Sequence, residues 1–239
     1  MWNLTLDVVA CRHGAAYCVG VSLGGTVMLR DVVAAVLLCL SFAASAAHAQ
    51  EVRLTEDRAE AVITINGQQI TIGRIQDQAN QITGEFARTS RPCPPFCIHP
   101  MSAGEGVATL GELEVIAFLE TKVATGEGIL IDSRLPVFFQ AGTIPGAVNV
   151  PFSILEAENP YRNDIMRALG ATGTPDAFDF SGALDLLLFC NGPWCDQSPR
   201  AIRNLLAAGY PAAKISYYRG GMQDWLLMGL SVQTPAAEG

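Results

Sequence analysis

Leu184–Tyr210 reads LDLLLFCNGPWCDQSPRAIRNLLAAGY. Leu184–Phe189 is a short, nearly unbroken apolar run, the pattern of a strand buried on both faces of a parallel sheet. Pro199–Ala208 carries helical apolar spacing and is stopped by Gly209. The loop between them, Asn191–Gln197, starts directly after Cys190. Strand, loop and helix in this order set Cys190 at the carboxyl end of a strand, where open parallel sheets bind their ligands. Pro199 suits a first helical turn and Ser198 suits a cap. The N–H groups of such a loop, together with the helix N-terminus, favour a thiolate or a bound anion. That placement lowers a cysteine pKa and makes the sulfur nucleophilic. A buried structural cysteine is the plain alternative.

Outward from this stretch, Ile129–Asp132, Ala147–Val150 and Ile215–Tyr218 read as further short strands. Ser153–Leu169 and Gln223–Met228 read as helices. Thr109-Leu-Gly-Glu112 has the form of a capping box, with Thr109 as cap. It opens a helix whose apolar face is Leu113, Ile116, Ala117 and Leu119, ended by Gly126 and Gly128. Strands alternating with helices predict a parallel α/β sheet. Earlier in the chain, Ala61–Ile65 and Gln69–Arg74 flank Asn66-Gly67, the strongest short hairpin signal, since both turn residues must accept positive φ. Asp77–Ser90 is polar and without a clear pattern. Arg91–Pro100 (RPCPPFCIHP) holds too much proline for a helix or a central strand.

The whole chain has 239 residues, 50% hydrophobic and 16% charged, which excludes a disordered protein and suffices for a buried core. A net charge of −8 offers no basic surplus for nucleic acid. Seven cysteines are too few for a disulfide scaffold of this length.

Met28-Leu-Arg30 followed by the uncharged run Val32–Ala47 and by Ala47-His-Ala49 has the order of a secretory signal peptide over residues 28–49. Residues 1–27 precede it and read as an over-extended start, with translation expected to begin at Met28. The expected mature chain begins at Gln50 and keeps Cys93, Cys97, Cys190, Cys195 and a single histidine, His99. One histidine argues against a Ser–His–Asp triad or a multi-histidine metal site. Export makes the protein periplasmic or secreted, permits disulfides and leaves no membrane segment after cleavage.

Asp132-Ser-Arg134 and Gly142-Thr-Ile-Pro-Gly-Ala-Val-Asn-Val-Pro151 resemble the rhodanese pattern D-x-R followed by G-[HT]-I-P-G-A-x-N-x-P. Leu188-Phe-Cys190, then Ser198-Pro-Arg-Ala201 and Leu205–Tyr210, resemble its active-site strand, loop and helix. Tyr218-Arg-Gly-Gly-Met-Gln-Asp-Trp225 resembles its closing motif. The resemblance, over about residues 109–235, implies a single rhodanese-like domain at 109–239. In it a central parallel sheet carries helices on both faces, with residues 50–108 as an N-terminal extension bearing the β-hairpin and the CPPFC segment. It implies a sulfurtransferase without cofactor or metal. Cys190 would attack the sulfane sulfur of a small thiosulfate-like donor, carry a persulfide, and yield the sulfur to a thiol acceptor, small or protein-borne. The N–H groups of Asn191, Gly192, Trp194, Asp196, Gln197 and Ser198 would cradle the persulfide, with Pro193 shaping the same loop. Arg200 is either an anion contact or a solvated helix residue. Asp132 and Arg134 are implied as a structural ion pair, Pro145, Gly146, Gly220 and Gly221 as turn residues, and Trp225 as core.

The chain departs from the family at its centre. The usual loop places five residues between cysteine and the serine that starts the helix; here seven lie between Cys190 and Ser198, with Cys195 among them. The insertion reshapes the nest and puts ordinary thiosulfate activity in question. Only four residues separate Cys195 from Arg200, one short of a C-x5-R phosphatase motif. Cys195 reads either as a spectator or as a resolving partner that closes a disulfide on Cys190. Cys93 and Cys97 read as a local disulfide, as a redox pair exchanging with the loop, or as half of a metal or iron–sulfur site made by all four cysteines with or without His99, whose spacing matches no standard zinc pattern. Sulfurtransferase, thiol–disulfide redox protein and non-catalytic interaction module therefore stand as three readings.

Overall fold

The computed structural model describes residues 51–235 and, before them, Val8–Val9 and Cys18–Val19. The chain divides into two units, Met1–Gln50 and Glu51–Gly239. In the first, Val8↔Val19 and Val9↔Cys18 pair antiparallel. The expected start at Met28 and the signal peptide over 28–49 lie outside the described residues.

The second unit is built on a five-stranded, all-parallel sheet. After the hairpin strands β1 (Ala61–Ile65) and β2 (Gln68–Ile72) come β3 (Ala108–Leu110), α1 (Glu112–Phe118), β4 (Gly128–Asp132), α2 (Pro136–Ala141) and β5 (Val148–Asn149). Then follow α3 (Arg162–Ala168), a small hairpin of β6 (Thr172–Thr174) and β7 (Ala177–Asp179), β8 (Asp185–Phe189), α4 (Gln197–Ala207), β9 (Ile215–Tyr218) and α5 (Gly221–Leu227). The sheet runs β3-β9-β8-β4-β5. The central strand β8 pairs Leu186–Phe189 with Ile215–Tyr218 on one side and with Ile129–Asp132 on the other.

Successive residues of a strand face opposite ways, and here both faces are covered. Leu186 and Leu188 join Ile131, Tyr217, Ala201, Ile202 and Leu205 in one core. Leu187 and Phe189 join Leu130, Tyr218, Val115, Ile116, Leu119 and Trp225 in the other. Each fully buried leucine contributes about 1.5–3 kcal/mol, so the three leucines of β8 rank among its strongest anchors. The parallel α/β architecture with helices on both faces is thus the one the sequence predicts.

The Asn66-Gly67 hairpin forms with Ile65 opposite Gln68 and with φ of 51° and 78° at the turn, as a two-residue turn demands. Its Ala61, Ile63 and Ile72 complete the second core beside Trp225, and Arg58 pairs with Glu120 of the turn that extends α1. The extension is therefore docked on the sheet's own face.

Three expectations are corrected. Thr109 caps nothing: it sits in β3, paired with Tyr217, and its hydroxyl donates to the Met101 carbonyl. The helix starts after Gly111, whose N–H is held by Glu114 Oε2 at 3.1 Å, so pairing with β9 has taken Thr109 from the helix. The helix buries Val115 and Ile116, with Leu119 buried in the turn that follows, while Leu113 and Ala117 of the expected apolar face are exposed. Ser153–Leu169 is not one helix; a 3-10 turn (Phe152–Leu155) and α3 are separated at Asn159-Pro160, because proline cannot continue the helical bond ladder.

Candidate active site

Cys190 follows β8 directly, beside the end of β4, where the Ser133 N–H donates to the Phe189 carbonyl. The loop then turns at Gly192–Cys195, with the Cys195 N–H donating to Gly192 O at 2.9 Å, and enters α4 at Gln197. α5 fixes its direction. The N–H groups of Met222 and Gln223 donate to the carbonyls of Cys190 and Asn191 at 3.0 and 2.9 Å. With these carbonyls drawn toward α5, backbone N–H groups of Asn191 and Gln197 are left to the thiols. Gly221 allows the approach. Its φ is +56°, and a Cβ there would stand 2.3 Å from the Cys190 carbonyl oxygen and 2.7 Å from the Gly192 nitrogen. Gly221→Ala is therefore expected to lower stability by about 1–3 kcal/mol, read by urea unfolding. A wild-type midpoint would mean that α5 rolls aside at no cost.

Cys190 and Cys195 are free thiols, 2% and 5% exposed. The Ser198 hydroxyl donates to Cys190 Sγ at 3.1 Å, and Cys190 Sγ donates to the Cys195 carbonyl at 3.3 Å. Asn191 Nδ2 lies 3.9 Å from Cys195 Sγ and donates to it. Burial pushes the Cys190 thiol well above its ordinary range, and the neighbouring Cys195 adds to the rise. Cys195 is held below that range, first by the hydrogen bond from Cys190, then by N–H groups of Asn191 and Gln197 and by the Arg134 charge, against the effect of burial. The sequence reading expected a lowered Cys190 thiol; burial at the strand end acts in the opposite direction and raises it. The longer loop brings the second sulfur to the donors, while Cys190 stays at the buried strand end.

Asp132 and Arg134 brace this arrangement. Arg134 Nε and Nη2 donate to the Asp132 carboxylate at 2.9 and 2.6 Å, in a pair 0% and 2% exposed. Nη2 also reaches Gly142 O at 2.6 Å, and Thr143 Oγ1 donates to Asp132 Oδ2 at 2.8 Å. Arg134 Nη1 donates to Asn191 Oδ1 at 3.4 Å, turning the amide nitrogen of Asn191 toward Cys195. The D-x-R pair thus extends through Asn191 to a thiol.

Several expected site residues go elsewhere. Ser198 is not the helix cap; Asp196 holds that position, and the Ser198 hydroxyl serves Cys190. Arg200 turns from the thiols, donating to Glu156 at 2.5 Å and lying 4.6 Å over the Phe152 ring. Asp196 bonds Arg203 at 3.0 Å. The side-chain oxygen of Gln197 is buried without a partner. Gly220 precedes α5 as its cap, and Trp225 is wholly buried, donating to Ser231 O.

Residues 84–101 form a strap over the outer side of the loop. Cys93 and Cys97 are joined as a disulfide, the local bond that is one of the three readings of this segment. Phe96 meets Trp194 edge-on at 5.1 Å, and the Arg91 guanidinium lies 4.6 and 5.0 Å over these two rings. The His99 N–H donates to Pro193 O at 2.9 Å, and Arg219 Nη2 donates to the His99 carbonyl at 2.8 Å. Gln223 accepts from Trp194 Nε1 at 2.6 Å and donates to Phe86 O at 3.0 Å, tying loop, strap and α5 together. Sequence reasoning missed Asn191 as the link to Arg134, and Gln223, Arg219 and Arg91 as fasteners. The one signal for the strap was the aromatic beside the CPPFC cysteines, facing a loop with its own tryptophan.

A family model described as a rhodanese-like domain matches residues 115–228. Human thiosulfate:glutathione sulfurtransferase is 33% identical over 109 residues, 45% of this chain and 87% of that protein. The HTH-type transcriptional regulator Rv0324 of Mycobacterium tuberculosis is 30% identical over 114 residues, 48% of this chain. The matched part spans 41% of that regulator's length. Among solved structures, the human single-domain sulfurtransferase TSTD1 is 27% identical, with 51% of this chain and 96% of that chain covered and a TM-score of 0.34.

Proposed function

The chain belongs to the rhodanese-like family of sulfurtransferases, and we propose that it moves a sulfane sulfur from a thiosulfate-like donor, through a persulfide on Cys190, to a thiol. The single observation that carries this reading is the placement of two buried free thiols at the carboxyl end of the central strand, with Cys190 Sγ donating to the Cys195 carbonyl at 3.3 Å. A buried pair ionises as a unit, because two adjacent thiolates in a low-dielectric site repel. The first charge rests on Cys195. As Cys190 Sγ attacks the sulfane sulfur, its proton passes to Cys195, the sulfur–sulfur bond of the donor breaks, and sulfite leaves with the bonding pair. The acceptor thiolate then attacks the outer sulfur of the persulfide and returns Cys190 as thiolate. The donor and the glutathione-like acceptor come from the human relative's name and are part of the proposal.

The test is peptide mass mapping of full-length protein after incubation with thiosulfate and alkylation. Sulfite release is the expected result, with added sulfur, removed by cyanide, on the Cys190 peptide in samples alkylated before that sulfur is passed on. Absence of sulfite release together with no added sulfur on any cysteine overturns the reading, and added sulfur on Cys195 alone transfers the nucleophile's role to it.

We place this chemistry outside the cytoplasm, in the periplasm or medium, supported by the signal-like segment 28–49 and by the strap disulfide, a bond typical of oxidising compartments. N-terminal sequencing of exported protein is expected to begin at Gln50; material retaining Met1 overturns that placement.

A further inference from the structure

The persulfide reading leaves Cys195 with more machinery than a proton acceptor needs. Its sulfur has an amide donor from Asn191, which Arg134 orients, as well as N–H groups from both ends of the loop. The turn at Gly192–Cys195 and the two residues added to the loop bring it against Cys190. Strap and α5 hold Pro193 and Trp194, so the loop presents Cys195 in one place. Access points the same way. Cys190 is only 2% exposed, and its Sγ already donates to the carbonyl of Cys195 at 3.3 Å, so the second thiol is carried on the residue that Cys190 touches.

We infer that Cys195 resolves the Cys190 persulfide, releasing the transferred sulfur as sulfide and closing a Cys190–Cys195 disulfide. The inference rests on the persulfide reading above. The proton that Cys195 took from Cys190 passes to the outer sulfur of the persulfide. The Cys195 thiolate attacks Cys190 Sγ, the Sγ–Sγ bond forms, and the bond to the outer sulfur breaks, so that HS⁻ leaves. The sulfane sulfur gains two electrons, and the two thiols lose them. A dithiol reductant then restores the pair by exchange for each further turnover. The chain would thus act as a dithiol-dependent sulfane-sulfur reductase, with its own loop as the first electron source.

A single-turnover experiment separates the possibilities. Full-length protein, reduced and freed of reductant without oxygen, is mixed with equimolar thiosulfate. Sulfite and sulfide are measured, and alkylated peptides are mapped. Wild type is expected to release both and to yield linked Cys190 and Cys195 peptides. Cys195→Ser is expected to release sulfite more slowly, because residue 195 no longer takes the Cys190 proton, and at completion to keep the added sulfur on Cys190 with no sulfide; circular dichroism and urea unfolding of the same sample show that the variant is folded. If wild type releases sulfite yet keeps its persulfide, with no sulfide and no linked peptides, the inference is overturned while the persulfide reading survives. If neither protein releases sulfite, the persulfide reading falls and the inference with it. Sulfide formed with Cys190 linked to any other cysteine also overturns it.

Discussion

Cys190→Ser is expected to reduce thiosulfate-dependent sulfur transfer by about a thousandfold or more while leaving the fold intact. A serine hydroxyl is far less acidic than a thiol and does not form a stable sulfur-bearing intermediate. Cys195 alone would then hold a thiolate with no neighbour from which to take a proton. The same hydroxyl can still accept from Ser198 and donate to the Cys195 carbonyl, in place of the bonds seen at 3.1 and 3.3 Å. Stability should therefore stay within about 1 kcal/mol of wild type. The measurements are steady-state transfer from thiosulfate to glutathione or cyanide, and urea unfolding of the same sample. A variant whose rate stays within about tenfold of wild type would place the chemistry outside this loop.

The second large effect belongs to the buried ion pair. Arg134→Leu leaves the Asp132 carboxylate fully enclosed, with the Thr143 hydroxyl and the residue-134 N–H as its remaining partners. Stranding one member of such a pair costs about 3–5 kcal/mol, more than any apolar trimming nearby. Urea unfolding is expected to show that loss, and the double variant Asp132→Asn/Arg134→Leu is expected to recover part of it, since the stranded charge is gone. A loss under about 1 kcal/mol would show that water reaches the carboxylate and that the pair behaves as an exposed one. Reactivity should fall in the single variant too, because Asn191 loses the donor that sets its amide toward Cys195.

The parts of the molecule legible in the sequence share a cause. The leucine run of β8 is buried on both faces, so its apolar character needed no pairing information. Asn66-Gly67 announced the hairpin because few other dipeptides tolerate positive φ twice in succession. Asp132 and Arg134 were visible as a motif, though not their reach to Asn191. What stayed hidden depends on partners distant in the chain. Thr109-x-x-Glu112 satisfies the form of a capping box, but β9, more than a hundred residues later, claims Thr109 for the sheet edge. Pro160 was present in the supposed long helix and should have divided it. The balance between the thiols was also illegible, since it depends on which sulfur the loop's N–H groups face. Nothing local to Arg91 or Gln223 tells that one lies on Trp194 and the other accepts its indole N–H.

The strap has a consequence for where this protein can be cut. The span matched by the family model starts at Val115, after Arg91, Phe96, the Cys93–Cys97 disulfide and His99. A fragment trimmed to that span would keep both thiols, Ser198, Asn191 and the Asp132–Arg134 pair. It would lack the outer wall against which Trp194 is pressed, and the hairpin residues Ala61, Ile63 and Ile72 that seal the core around Trp225. The matched span and the packed unit do not coincide in this chain: a segment upstream of the matched boundary packs on Pro193 and Trp194 of the reactive loop.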